Sequence, residues 1–590
     1  METLQRNLDF VRDLIWGPWL LIPLLLGTGI FLTFRLRGIQ FRLFTKAMSL
    51  GFGRRSRATG EKGDISSFAA MSTALAATVG TGNIVGVAAA MSIGGPGALF
   101  WMWITALFGM ASKYAECFLG VRFRTRDTAG QLTGGPQVYL ARGIPNKFGR
   151  FLSVMFAVCC VVATFGIGNM TQGNAIASNL EHTFNVSPVI TAVVLAVGTG
   201  LALLGGIQSI AKVTTYMVPL MIVLYIGSGL YIIGVNFQGI PEALRLIFTG
   251  AFTPMGATGG FVGSTVLMAI QMGAARSLFS NESGMGTASI AASVAQTSHP
   301  VRQGLVSMTQ TFVDTLVVIS ITGFVILTTG VWNGADTATM TSVAFSTGLP
   351  GSWGGIVVTI CLVLLGYSTV LGWAYYGERN VERLAGARAA IVYRVIFSLA
   401  AGLGALAPLT LVWSFSDIMN GLMAIPNLIG LIILSGLVVR ETNLYLKNDP
   451  KFNATTDQID AFMGAHPGAL DAQIHHTVDL SSANPALSET GTLPVAPPAE
   501  SPRAGAATGA APGGDAAASS SSATDGPAPR GFRPGAFPHR GVPRGVRAGP
   551  SGGLPGALAG RQRRRVARAR SGVVGDGCPL RRRGRRDPVP

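Results

Sequence analysis

Two glycine-rich clusters set in apolar surroundings carry the most chemistry in this 590-residue chain. The first lies in STALAATVGTGNIVGVAAAM, with Gly80, Thr81, Gly82 and Asn83 near its centre. The second lies in LMAIQMGAARSLFSNESGMGTASIAAS, with Asn281, Glu282, Ser283, Gly284, Met285 and Gly286. Glycines in the middle of an apolar helix weaken it and release backbone N–H and C=O groups, which lipid cannot satisfy and which must face protein or water. A half-helix N-terminus offers about half a positive charge and free N–H donors, suited to a carboxylate. Carbonyls at the opposing half-helix end suit a cation. The GTGNIVG segment is not a nucleotide loop, because it lies inside an apolar stretch and follows no strand. Close helix packing through small residues is the plainer reading of one such cluster.

Polar side chains at comparable depth extend the set. Gln172 and Asn174 lie in GIGNMTQGNAIA, and Ser368 and Thr369 lie in LLGYSTVLGW, with Trp373 one turn beyond Thr369. Plain alternatives are an interhelical hydrogen bond for Gln172, hydroxyls bonding back to their own helix for Ser368 and Thr369, and an interface anchor for Trp373. Phe279, just before the second cluster, either caps a pocket or packs. Arg276 and Glu282 flank that cluster and Asp314 follows in the next apolar stretch. Ionisable groups at this depth are costly, so these three are expected to pair or to act as coupling or gating groups. Lys113 and Glu116 read as a solvated structural pair near the end of their segment. The five cysteines and six histidines have no disulfide or zinc spacing. With no nucleophile–base or metal pair at mid-membrane, an enzyme is disfavoured and no cofactor is expected.

The elements that hold these residues are membrane spans. The chain is 49% hydrophobic and 12% charged, with mean hydropathy +0.45; an ordinary soluble domain carries about 25% charged residues. A bilayer crossing takes about 20 apolar residues, and eleven stretches qualify: 15–36, 66–93, 98–121, 150–180, 187–205, 213–235, 257–295, 304–330, 354–377, 390–410 and 413–439. The first is too long, and its flank insufficiently basic, for a cleavable signal peptide. Arg35, Arg37, Arg42, Lys46, Arg54, Arg55, Arg57 and Lys62 follow the first span; Arg122, Arg124, Arg126, Arg142, Lys147 and Arg150 follow the third. The connection from Val331 to Trp353 has neither Lys nor Arg. The positive-inside rule then puts the N-terminus outside and the C-terminus in the cytoplasm.

The formal charge of +18 suggests nucleic acid or acidic lipid as a partner only if it belongs to something folded. Residues 501–590 hold 17 arginines against Asp515, Asp525, Asp576 and Asp587, or +13 of the total. Their Gly/Ala/Pro/Ser/Arg composition predicts disorder. It is equally the composition of a GC-rich coding region read out of frame. No nucleic-acid partner is expected.

Gly80 and Gly284 are 204 positions and five spans apart. An odd number of crossings inverts the second unit, so spans two to six and seven to eleven read as inverted five-helix repeats. Corresponding broken helices in inverted halves point to a secondary transporter's binding site at their interface. The expected organisation is residues 1–65 as an N-terminal helix and basic loop, 66–235 and 255–440 as the repeats, and 441–590 as a disordered cytoplasmic tail.

The run TALAATVGTGNIVGVA, GGPGALFWMW, GGPQVYL, LFSNESGMGTA and LGWAYYGER resembles the alanine or glycine:cation symporter family, from about Leu14 to Arg440. The resemblance implies an all-α polytopic membrane protein of leucine-transporter type, with eleven transmembrane helices: one extra N-terminal helix and a 5+5 inverted repeat. It implies sodium-coupled symport of alanine or glycine through the cell membrane by alternating access; the alternatives are proton coupling, another neutral amino acid, or an ion channel. Carried over by motif, the amides of Gly80, Thr81 and Gly82 hold the substrate carboxylate and Gln172 meets the amino group. Phe279, Met285 and Trp373 wall the pocket. The cation falls to backbone oxygens of Ala76 and Val79 with the hydroxyls of Ser368 and Thr369, and Asn83 matches a residue of the wider fold's ion segment.

Overall fold

In the computed structural model the described residues are 2–17, 19–53, 63–127, 130–254, 265–333, 337, 339–351, 353–406 and 409–464. Residues 465–590, with the arginine-rich tail, lie outside them, as do Arg54, Arg55, Arg57 and Lys62 and the first part of the 257–295 stretch.

Helices begin where the sequence supplies caps. The side chain of Ser66 accepts from the amide of Ala69 at 3.1 Å, that of Asn146 from Gly149 at 2.9 Å, and that of Thr265 from Met268 at 3.1 Å. Pro188 and Pro300 occupy first-turn positions, where no N–H is needed. Helical segments occupy the described part of each apolar interval. Among the described residues five helices are long and apolar enough to cross a bilayer singly, the Ser67–Thr78 and Gly82–Gly94 pair forms a sixth candidate bent by 51°, and Leu21–Arg35 and Pro188–Leu204 are shorter apolar helices. Exposed apolar side chains such as Val193, Val197, Leu220, Val223, Val395 and Leu399 give these helices a lipid-compatible outer surface.

The structure adds elements that apolar length alone does not reveal. Glu2–Ile15 is a helix tied to the last long helix: Trp16 Nε1 donates to the carbonyl of Asp417 at 2.7 Å. Ile240–Phe252 and Met340–Gly348 are further short helices. The 354–377 and 390–410 stretches form two helices within Trp353–Gly404 that meet at a kink at Gly386, where φ is 84°. The expectation of purely helical structure is corrected by two small strand pairs. Thr125–Arg126 pairs antiparallel with Leu132–Thr133, and Ile65–Ser66 pairs parallel with Ala295–Gln296.

The parallel pair fastens the start of the first broken helix to the end of the second. At the far end, Gly94 lies against Met268 and Met272, whose atoms stand 3.1 Å from where a Cβ would be. The two broken helices therefore run side by side and antiparallel, with their interruptions at the same level.

Candidate functional site

The first interruption covers Val79 to Thr81: Val79 turns to an extended conformation and the chain resumes at Gly82 in a wide π turn, Gly82–Gly86. Glycine is required here by close approach. A Cβ on Gly80 would stand 2.5 Å from Thr369 Oγ1, and one on Gly82 would stand 3.2 Å from the Phe279 ring. The released groups find internal partners. The amide of Gly80 donates to Asn83 Oδ1 at 2.9 Å and that of Thr81 to Gln172 Oε1 at 3.4 Å.

The second interruption follows Asn281. Glu282, Gly284 and Gly286 all take positive φ, 53°, 86° and 89°, before helix Thr287–Ser293 resumes. Here too buried side chains replace the missing helical bonds. The amide of Ser283 donates to Asn281 Oδ1 at 2.9 Å and that of Gly286 to Glu116 Oε2 at 3.0 Å. Asn427 Nδ2 donates to the carbonyl of Gly284 at 2.8 Å.

Between the breaks lies a cavity lined by Gly80, Gly82, Gln172, Phe279, Thr369 and Trp373, all expected from sequence, together with Ala77, Thr78, Ile167 and Glu282. Only about 10 Å³ of it is open to the centre of a water molecule, roughly one water's worth. In this conformation the walls are closed down. Trp373 reaches the wall by lying on Gly168, where any Cβ would overlap its ring; at 2% exposure it is not an interface anchor. Phe279 also lines a second, larger cavity with Arg12, Asp13, Arg276 and Asp417, so its ring is a partition between the two.

The expected cation ligands largely converge. Ser368 Oγ and Thr369 Oγ1 donate to the carbonyl of Ala76 at 3.3 and 2.9 Å, and both also bond back to Leu365 at 2.9 and 3.0 Å. Val79, three residues on from Ala76, is buried.

Asn83 belongs to a different cluster. Asp314 Oδ1 accepts from Asn83 Nδ2 at 2.8 Å, both Asp314 oxygens accept from Ser280 Oγ at 3.0 Å, and Oδ2 accepts from Thr315 Oγ1 at 2.8 Å. One carboxylate thus spans the two interruptions. Among the described residues three π segments, Gly82–Gly86, Gly166–Met170 and Phe312–Ile319, all border this region. Wide turns of this kind recur at functional sites because they expose backbone groups and re-aim side chains.

Four expectations change. Arg276 is not directed at Glu282 or Asp314: its guanidinium lies 5.7 Å from the Phe279 ring and faces the larger cavity, which it shares with Asp417. Lys113 and Glu116 are not solvated: both side chains are fully buried, with Nζ 3.6 Å from Oε1. Met285 is buried in the core rather than on the cavity wall, because the helical period does not carry across the break. Asn174 lines a separate lateral cavity with Thr81, Ser178 and Arg276. Ser280, Glu116, Lys113 and Asn427 do not stand out in the sequence as site residues; the polar SNES run is the one available signal, for Ser280.

A family model described as the sodium:alanine symporter family matches residues 1–459. A sodium/alanine symporter of Methanococcus maripaludis is 49% identical over 450 residues, covering 75% of this chain and 98% of that protein. An uncharacterized transporter of Haemophilus influenzae is 48% identical over 447 residues, covering 75% and 97%. Among solved structures, that of MhsT in complex with L-phenylalanine is 15% identical, covers 65% of this chain and 99% of that one, and superposes with a TM-score of 0.48.

Proposed function

The chain belongs to the sodium:alanine symporter family, and is thereby a multi-pass membrane transport protein; we propose that it carries a small neutral amino acid, alanine or glycine, into the cell together with Na⁺. The observation that carries the reading is the pair of antiparallel broken helices whose interruptions meet at one buried cavity. That is the arrangement expected of inverted repeats with a substrate site at their interface. On this reading the chain crosses the cell membrane eleven times, with repeats at 66–235 and 255–440, an outer N-terminus and an inner C-terminus.

In the proposed mechanism the amides of Gly80, Thr81 and Gly82 receive the substrate carboxylate. Two of them are held by Asn83 and Gln172 in the closed-down form, so binding exchanges internal bonds for substrate bonds. Phe279 and Trp373 limit substrate size. The Ala76 carbonyl with Ser368 and Thr369 offers neutral oxygens to one cation; a second cation fits the Asn83–Asp314–Ser280 cluster. Alternating access follows when the broken helices rock against the surrounding helices, with Phe279 as the partition on one side. One Na⁺ moving inward at 100 mV yields about 2.3 kcal/mol and a tenfold gradient adds about 1.4 kcal/mol, enough to accumulate a zwitterion a few hundredfold.

The test is uptake of labelled alanine and glycine by proteoliposomes. Accumulation above bath concentration under an inward Na⁺ gradient supports the reading. Uptake that persists when choline replaces Na⁺ overturns sodium coupling, and flux that never exceeds bath level favours a channel.

A further inference from the structure

One charged group on the cavity wall has no part in the proposed transport cycle. Glu282 lines the cavity and is 1% exposed, and its Oε2 accepts from Thr287 Oγ1 at 2.5 Å. No cation among the described residues forms an ion pair with it, and Lys113 already lies 3.6 Å from Glu116 with both side chains wholly buried. Lys113 Nζ and Glu116 Oε1 make no hydrogen bond with any described residue, so their mutual charge is what they have to offer each other. Asp314 takes its donors from Asn83, Ser280 and Thr315 and brings no positive charge. The wall of the cavity is thus left with one carboxylate whose hydrogen-bond donor, the Thr287 hydroxyl, is neutral. A buried carboxylate in that condition is costly unless a cation arrives to match it.

The substrate supplies one. Its carboxylate and ammonium sit on the same carbon, so anchoring the carboxylate on the Gly80–Gly82 backbone brings the ammonium to the remaining walls of a very small cavity. Gln172 contributes no charge there: its Nε2 donates to the carbonyl of Ile167 at 3.0 Å, and its Oε1 accepts from Thr81 in this conformation. That Oε1 is a neutral amide oxygen, which offers the ammonium a dipole and not a counter-charge even once substrate displaces the bond to Thr81. We propose that Glu282 is the counter-charge for the substrate ammonium, and that it decides that the site takes amino acids and refuses hydroxy acids of the same size. This rests on the reading of the cavity as an amino-acid site. Lys113, neutralised by Glu116, then serves to keep the rest of the buried group balanced so that the deficit falls at Glu282.

The experiment is competition binding on the purified full chain at saturating Na⁺, with labelled L-alanine displaced by L-alanine or by L-lactate, which has hydroxyl in place of ammonium. In the wild-type protein alanine should compete far better than lactate. Glu282→Gln keeps shape and hydrogen bonding but removes the charge; alanine affinity should fall by about 10- to 150-fold, the range for a lost charge-assisted bond. Lactate affinity should hold, so that the preference collapses, and Glu282→Asp should retain most of it. Unchanged alanine affinity in Glu282→Gln overturns the proposal, as does a variant that needs only more Na⁺, since the carboxylate would then serve the ion. If the variant does not fold, infrared difference spectra of the wild-type protein decide: with ligands 13C-labelled at the carboxyl so that their own band is displaced, a protein carboxylate stretch must move on adding alanine and not on adding lactate, and its absence overturns the proposal. A wild-type protein that binds neither alanine nor glycine at any Na⁺ concentration sinks the amino-acid reading itself, a different outcome from an insensitive variant.

Discussion

The side-chain amide of Asn83, in the first interrupted helix, donates to Asp314 Oδ1 at 2.8 Å, while Ser280, beside the second interruption, donates to both oxygens of the same carboxylate. Asp314, on Phe312–Ile319, is therefore a buried fastener that ties both broken helices to an element against which they must rock. Replacing it by alanine leaves the Ser280 and Thr315 hydroxyls without this acceptor and Asn83 with only the longer bond to the backbone carbonyl of residue 314 at 3.3 Å, at a cost on the order of 1–3 kcal/mol for an unsatisfied buried group. Asp314→Ala should lower the apparent Tm in detergent and abolish Na⁺-driven uptake. Wild-type melting with wild-type uptake would mean that the fastener is dispensable.

Thr369 Oγ1 stands between the Ala76 carbonyl and Gly80. Thr369→Val keeps the shape and removes the oxygen. If this oxygen ligates Na⁺, the Na⁺ concentration for half-maximal alanine uptake should rise about tenfold or more, the loss of one bond of about 1.4 kcal/mol. The check is a Na⁺ titration at fixed alanine; an unmoved midpoint places the cation elsewhere.

Gly82 lies against Phe279 and Ser280, with Phe279 Cδ1 3.2 Å from where a Cβ would be. Gly82→Leu should leave a purifiable protein that neither binds nor transports alanine, as read by size-exclusion profile, binding and uptake together. Retained binding would remove the backbone of this segment from the substrate site.

Phe279 separates the small cavity from the larger one that holds Arg276 and Asp417. Phe279→Ala should open that partition. Labelled alanine should then leave the purified protein severalfold faster, and a thiol reagent should reach the side chain of an added Gln172→Cys substitution from the Arg276 side. A release rate equal to wild type would show that the ring is packing and not partition.

Beyond the end of helix Thr287–Ser293, outside the spans, His299 stacks on Tyr445 with ring centroids 4.4 Å apart and its Nδ1 accepts from the amide of Val301 at 3.2 Å. Burial, and then the charge of Arg302, push its pKa from 6.5 down to about 3. The unfolded chain therefore binds the proton first as pH falls. Stability supplied by neutral His299 is present above pH 6.5 and is lost progressively from there toward pH 3. Thermal stability in detergent should fall across that window, and His299→Gln should flatten the dependence.

Much of the fold and part of the site were legible in the sequence, because each depends on short-range chemistry. Apolar length marks the helices, capping residues mark their starts, and GTG and GMG mark where two of them must break. Gln172, Thr369 and Trp373 could be picked out because polar or amphipathic groups at that depth are costly without a partner. Other residues depend on what lies across a helix face, which spacing does not encode. Lys113 and Glu116 have the i,i+3 spacing of a solvated pair, and only the packing of helix Gly97–Arg122 against the second broken helix makes that face interior. Glu116 acquires its role from the amide of Gly286, 170 positions away. Met285 left the cavity wall because three residues of positive φ precede or surround it, and no period survives that turn. The sequence alone determined which segments are apolar, where the backbone gives way and which rare polar groups must find partners. Tertiary structure decided which partners they find, because the direction of a side chain past a break, and the charge balance around a buried carboxylate, exist only once distant helices have been brought together.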